Sequence, residues 1–236
     1  MFLTANQMAD KIETLLNLKD AEFSYEDSEL STILNTAQEH LRKQFVSKLT
    51  NAKKQALEET EDRGWAFAPL ISPATLTASS TQTNVFSNGK YWDLPTDYSI
   101  LLTEIPTSDK IDCNSIGIKP RVKVISHDEY QKLIRNYYQK PFLNTQTGDA
   151  VIWRMFDNSS RIQTITDGTF NITGYAIKYL KQVPSIVVDR DNTSNMVNCE
   201  LHPDSHETLV EIAISLIKTS NNEQRVPNKI GLEQIN

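Results

Sequence analysis

Three soft metal ligands fall within eight residues late in the chain: Cys199, His202 and His206, spaced Cys-x-x-His-x-x-x-His. Thiolate and imidazole are zinc donors, but a tetrahedral site needs four protein ligands, or three and a water. Cys113 or a carboxylate would have to complete the set. The alternative is packing, with Cys199 acting as a small apolar side chain and the two histidines bracketing a helix start. We expect packing, with no metal and no cofactor. Ser126-His127-Asp128 has the residue types of a hydrolytic triad, yet adjacent residues cannot converge on one reacting atom. Ser126 and Glu129 instead make the Ser-x-x-Glu pattern of a capping box. Asp93, Asp97 and Glu104 alternate with apolar residues, and acid–base work by paired carboxylates needs a pocket that nothing in the sequence marks. Walker, dinucleotide, zincin and hydrolase-elbow motifs are missing. The expectation is no catalytic residue and no enzyme.

Composition narrows the class. A chain of 236 residues is long enough for a sizeable core, in one large domain or two small ones. Hydrophobic residues make up 39% and charged residues 23%, ordinary for a soluble protein. The net charge of −6 argues against a dedicated duplex-binding surface, which would be basic. Seven glycines are about 3% of the chain, below the usual ~7%, so glycine-rich phosphate loops have little material. Two distant cysteines, Cys113 and Cys199, fit reduced thiols better than a disulfide framework. The longest apolar-dominated run, Leu209 to Ile217, is far short of a bilayer span. The start, Met1 to Gln7, has no basic region or long apolar core, so no signal peptide is expected.

The elements that must position these residues read as follows. Thr4 to Gln7 is a capping-box pattern, and Met8, Ile12, Leu15 and Leu16 follow at helical spacing, predicting a helix over 5–18. From Asp27 or Ser28 a longer helix carries Leu30, Ile33, Leu34, Ala37, Leu41, Phe45 and Leu49 on one stripe. Helix formers continue to Glu59, and Gly64 stops them. The polar remainder of this helix reads as a solvated face or as a surface packed on a neighbouring subunit. Residues 64–89 carry no charge and suit strand or loop, with an inter-subunit or pore-facing role open to them. Asn88-Gly89 is a hairpin-turn dipeptide, and strands are expected over 90–94, 98–105 and 121–125. A short helix near 127–138 closes before Pro141.

Between 148 and 188 the period becomes two. Residues 150–156, 161–166 and 175–180 predict a three-stranded antiparallel meander, and 185–188 can add a strand. Pro203 then suits the first turn of a helix over 203–218, with Asp204 and Glu207 at its positive end and Lys218 at the other. Leu209, Ile212 and Leu216 lie among apolar residues covering nearly its whole girth, so it should be buried on several sides. Residues 219–236 are polar and read as an extended tail. The predicted fold class is α+β, in one integrated domain. It comprises an N-terminal helical hairpin (1–63), a central antiparallel β region with an inserted short helix (64–188), and a C-terminal buried helix with its tail (189–236). Candidate core or interface residues are Leu30, Ile33, Leu34, Leu41, Phe45, Leu209, Ile212 and Leu216.

Several segments, in order, are similar to the ring and adaptor (head-to-tail connector) proteins of crAss-like short-tailed bacteriophages. They are Leu30 to Gln38, Tyr91-Trp-Asp-Leu-Pro-Thr-Asp-Tyr98, Ile125 to Arg135 running into Lys140-Pro141, Tyr175 to Pro184, and the block from Cys199 to Ala213. The resemblance implies a virion structural protein in a twelve-fold ring stacked below the portal, forming part of the conduit for genome ejection. Its partners would be copies of itself, the portal, and neighbouring ring and tail proteins, with double-stranded DNA passing without sequence-specific binding and no membrane. Residues 64–89 and 219–236 would then serve assembly rather than the isolated fold. The competing class is a non-viral adaptor or regulatory protein-binding module, acting as monomer or dimer.

Overall fold

The computed structural model describes residues 2–16, 25–52, 65–79, 88–110, 118–144 and 146–230. Among them are four helices and antiparallel sheets, the α+β class expected. The helices are α1 (Ala5–Leu15), α2 (Asp27–Ala52), α3 (His127–Leu133) and α4 (Ser205–Ile230). The strands are β1 (Ile71–Thr75), β2 (Thr77–Ala78), β3 (Gly89–Asp93), β4 (Tyr98–Lys110), β5 (Arg121–Val124), β6 (Phe142–Leu143), β7 (Ala150–Asn158), β8 (Arg161–Ile165) and β9 (Phe170–Lys181). The chain divides into two compact units, residues 1–70 with 183–236, and residues 71–182. The expected helix extension to Glu59, its stop at Gly64, and Cys113 lie outside the described residues.

The first unit is helical. Thr4 caps α1 as its residue types require: its hydroxyl accepts the Gln7 amide at 3.2 Å while the Gln7 side chain accepts the Thr4 amide at 2.9 Å. Ala5, Met8, Ala9 and Ile12 on one side of α1 are fully buried. So are Leu30, Leu34 and Ala37 of α2, with Leu41 and Phe45 nearly so, and Phe45 stacks on Phe67 at 4.6 Å between centroids. Both helices pack against α4, which contributes Leu209, Val210, Ala213 and Ile217.

Two expectations for α4 are corrected. It begins at Ser205 rather than at Pro203, because His202 donates its amide to Ala66 and Pro203–Asp204 form a turn closed by Ser205 on the His202 carbonyl. It also runs to Ile230, so the extended tail expected from residue 219 is helical over most of its length. Glu223, Gln224 and Arg225 lack an apolar stripe but are good helix formers, which a reading from apolar periodicity underweights.

An extended segment, 184–190, lies along α2 and is held by side chains from it. Gln38 donates to the Pro184 carbonyl, Asn35 bonds both backbone groups of Ile186, Ser31 accepts the Val188 amide and Asp27 accepts the Arg190 amide, all at 2.8–2.9 Å. The match is geometric. Steps of three or four helical residues advance about 4.5–6 Å and two extended residues about 6.6 Å, so Gln38, Asn35, Ser31 and Asp27 meet alternate residues of the segment. The intervening Asp189 uses its backbone on Asn6 of α1. Backbone groups that must find partners thus find them in side chains rather than in a sheet.

The second unit is a β-sandwich. One sheet has the order β1-β9-β4, and the other β2-β3-β8-β7-β5, with β6 also on β7. All pairs are antiparallel except β5 with β7. Trp92, Ile152 and Ile162 from the larger sheet meet Ile172, Tyr175 and Ile177 of β9 in the main core. On the far face of the larger sheet, Trp153, Met155 and Ile165 pack with Tyr130 of α3. Strand β7 is therefore buried on both faces, which is why 150–156 reads as an almost unbroken apolar run.

Two further corrections concern pairing. Strands β7 and β8 form the expected hairpin, but β9 leaves them for the other sheet and β8 pairs with β3 instead. Phe67, Leu70 and Leu76 are buried, so the described part of 64–89 serves the folded cores rather than standing apart from them. Of 185–188 only a single bridge, Val187 to Val197, is β-like.

Candidate functional site

The sequence singles out Cys199, His202 and His206, and the fold gives each a different neighbour. Cys199 is buried with its thiol 3.6 Å from the Gln38 side-chain oxygen Oε1, and burial pushes the thiol pKa up to about 11. His206 is fully buried. Its Nδ1 accepts the Leu3 amide, so Nε2 carries the hydrogen and donates to the Leu201 carbonyl, both at 3.2 Å. Burial lowers its pKa below the ordinary imidazole value. His202 is partly exposed, with Nδ1 accepting the Asp204 amide at 3.4 Å. His206 thus joins the N-terminal segment to the start of α4. Among the described residues, no three His, Cys, Asp or Glu side chains are grouped to hold a metal ion.

The other constellations also separate. Ser126 and Glu129 close the capping box of α3, and His127 Nε2 donates to the Phe156 carbonyl at 2.9 Å. Asp93 is exposed, and Asp97 accepts the Tyr179 hydroxyl at 2.9 Å. Glu104 of β4 receives Arg154 of β7 through two hydrogen bonds, at 3.1 and 3.3 Å, and the Tyr175 hydroxyl at 2.6 Å. These three side chains join the two sheets. The Tyr175 hydroxyl is driven far above its ordinary pKa by burial and by the Glu104 charge, so it stays a donor. Arg154, alone within the apolar run of 150–156, could have signalled a buried cation, but its partner lies 50 residues away.

A cleft of about 480 Å³ in this unit is lined by Asn88, Lys90, Thr164, Thr166, Gly168 and Asn171, with Ile172. Lys90 supplies its cation, and that ammonium already donates to the Ile172 carbonyl at 2.8 Å and lies 4.6 Å from the Trp92 ring. Burial lowers its pKa. Among the described residues, that lining holds no thiol, imidazole or carboxylate to serve as nucleophile or base.

Surfaces offer more than pockets. Of the eight residues expected in core or interface, Leu30, Leu34, Leu41, Phe45 and Leu209 are buried, while Ile33, Ile212 and Leu216 are half-buried. The helical spacing puts Tyr137 on one side of the short helix with Tyr130, Leu133 and Ile134 and does not single out Tyr138, but α3 ends at Leu133 and the two tyrosines are 81% and 92% exposed on the turn after it. Sequence reasoning passed over Arg190, whose guanidinium lies within 3.1–3.6 Å of Asp10, Glu13 and Asp27. No described helix is long and apolar enough to cross a membrane.

Two comparisons with known proteins bear on this chain. Residues 3–229 match the model of the phage tail ring protein 3/4 family. The chain is also similar to a protein of Bacteroides phage crAss001 named Ring protein 4/5, at 23% identity over 235 residues, covering 92% of this chain and 93% of that one.

Proposed function

The chain belongs to the phage tail ring protein 3/4 family, and on that premise we propose that it forms a twelve-fold ring in the portal–tail connector of a short-tailed phage. In this role it is a structural component of the virion, made in the host cytoplasm, and its ring is one segment of the conduit for genome ejection. The observation that carries the reading is the family match from residue 3 to residue 229, which spans both units. The work is structural rather than catalytic. Its partners are further copies of the chain, the portal, and the ring and tail proteins above and below.

The physics of a ring fits the surfaces described. Closed rings use heterologous contacts, in which two different patches of one subunit meet on successive copies. Ile33, Ile212 and Leu216 remain half-buried and are the members of the expected core set available for such contacts. Double-stranded DNA passes without sequence-specific binding, because a net charge of −6 per copy repels phosphate rather than gripping it.

Quantitative mass spectrometry of purified virions tests this reading. The chain should be present at the portal's copy number. Its absence from virions, or a level far below the portal's, would contradict the role.

A further inference from the structure

The turn after α3 displays an aromatic and basic surface on a fixed base. Tyr137 and Tyr138 stand 81% and 92% exposed, with their rings edge to face at 5.7 Å. The backbone beneath them is held from two sides: Trp153 donates its indole N–H to the Gln139 carbonyl at 3.2 Å, and Asn136 accepts the Tyr138 amide at 3.2 Å. Trp153 is itself buried against Tyr130. The fold therefore holds the two rings out in solvent, where tyrosine forgoes a large apolar contact area. Lys132, Arg135 and Lys140, close to them in sequence, are exposed. Residues 119–140 contain six Lys or Arg against two Asp or Glu, a net of +4.

The complementary surface is on the other unit of the same chain. Residues 1–70 with 183–236 contain twelve Lys or Arg against twenty Asp or Glu, a net of −8, while residues 71–182 have twelve against ten, a net of +2. Part of that negative charge gathers at Arg190. That one cation faces Asp10, Glu13 and Asp27, while Glu26, Glu29 and Asp191 nearby in sequence are exposed.

We propose that the Tyr137–Tyr138 tip of one copy docks on the acidic surface around Asp10, Glu26, Glu29 and Asp191 of the next copy in the ring. The inference rests on the ring reading above. It supplies the two unlike patches that a heterologous contact requires, each copy giving its tip to one neighbour and its acidic face to the other. Tyrosine at the centre of a contact and arginine and lysine around it are what protein interfaces select, and opposite charge fixes the register. Phosphate is the other partner a basic aromatic tip could take. A second copy is favoured because the rest of the chain is acidic, which opposes approach to DNA, and because the matching patch is present once per tip.

The test replaces Tyr138 with photoreactive benzoylphenylalanine in the full chain, assembled into tails from equal amounts of 15N-labelled and unlabelled copies. Irradiation should give cross-linked peptides of mixed label that join position 138 to residues 2–30 or 183–200 of a second copy. Adducts with DNA, with another tail protein, or confined to one copy would overturn the docking. In parallel, the triple change Lys132→Glu, Arg135→Glu, Lys140→Glu should lower incorporation into tails by about tenfold or more while circular dichroism stays unchanged. Adding Glu26→Lys, Glu29→Lys and Asp191→Lys to that chain should restore it, and failure to restore would count against the contact. If the unsubstituted chain is missing from tails, the ring reading fails and the contact with it. If it is present and position 138 reacts elsewhere, only the contact fails.

Discussion

Asn35 and Ile186 exchange two hydrogen bonds, each 2.8 Å: the Asn35 amide donates to the Ile186 carbonyl and its oxygen accepts the Ile186 amide. One helical side chain thus takes the place of a strand partner for a residue 151 positions away. Asn35→Ala should leave both backbone groups without this partner and cost about 2 kcal/mol in denaturant unfolding. Thr32→Ala, at an exposed position on the same helix, should change stability by less than about 0.5 kcal/mol. Equal effects of the two would show that the segment is not held by this helix face.

The Glu104–Arg154 pair should behave as a unit. Its side chains are only 15% and 6% exposed, so removing one partner leaves the other's charge in a poor solvent. Arg154→Met alone should cost about 3–5 kcal/mol, and adding Glu104→Gln should recover part of that loss. A double-mutant cycle with no coupling between the positions would contradict the joining role given to them.

Burial along α4 also orders its residues. Leu209 is fully buried and Ile212 half-buried, so Leu209→Ala should cost about 2–5 kcal/mol and Ile212→Ala clearly less. In assembled tails the order should narrow, because Ile212 is available for contact between copies. Thermal melts of the isolated chain compared with tail incorporation would read both.

The neutral His206 sets a pH dependence. Burial lowers its folded pKa below the unfolded value of 6.5, so the unfolded state binds the proton more readily. Its contribution is present above about pH 6.5 and is lost as the pH falls towards the depressed folded value. Melting temperature should therefore drop between about pH 7 and pH 5, and His206→Gln should flatten that component. An unchanged slope in the variant would assign the pH response to other groups.

What the sequence disclosed was what is local. Thr4 with Gln7 and Ser126 with Glu129 each encode a capping box within four residues, and both form as read. The stripe of Leu30, Leu34, Leu41 and Phe45 repeats on one helix face, and it is buried. What stayed hidden depends on distant partners. Asp27, Ser31, Asn35 and Gln38 read as a solvated face because the backbone they hold lies about 150 residues on. Strand β9 has the same alternation whichever neighbour it takes, so its place between β1 and β4 could not be read from period alone. Tyr137 continues the helical spacing of Tyr130, Leu133 and Ile134, but α3 ends at Leu133, so that spacing no longer applies and both tyrosines stand exposed.

The ring itself is open to direct imaging. Electron cryomicroscopy of purified tails, averaged about the tail axis, should resolve a ring of twelve copies in the connector, with density accommodating the helical unit and the β-sandwich in each repeat. A connector whose rings accommodate neither unit, or a chain found elsewhere in the particle, would contradict the account.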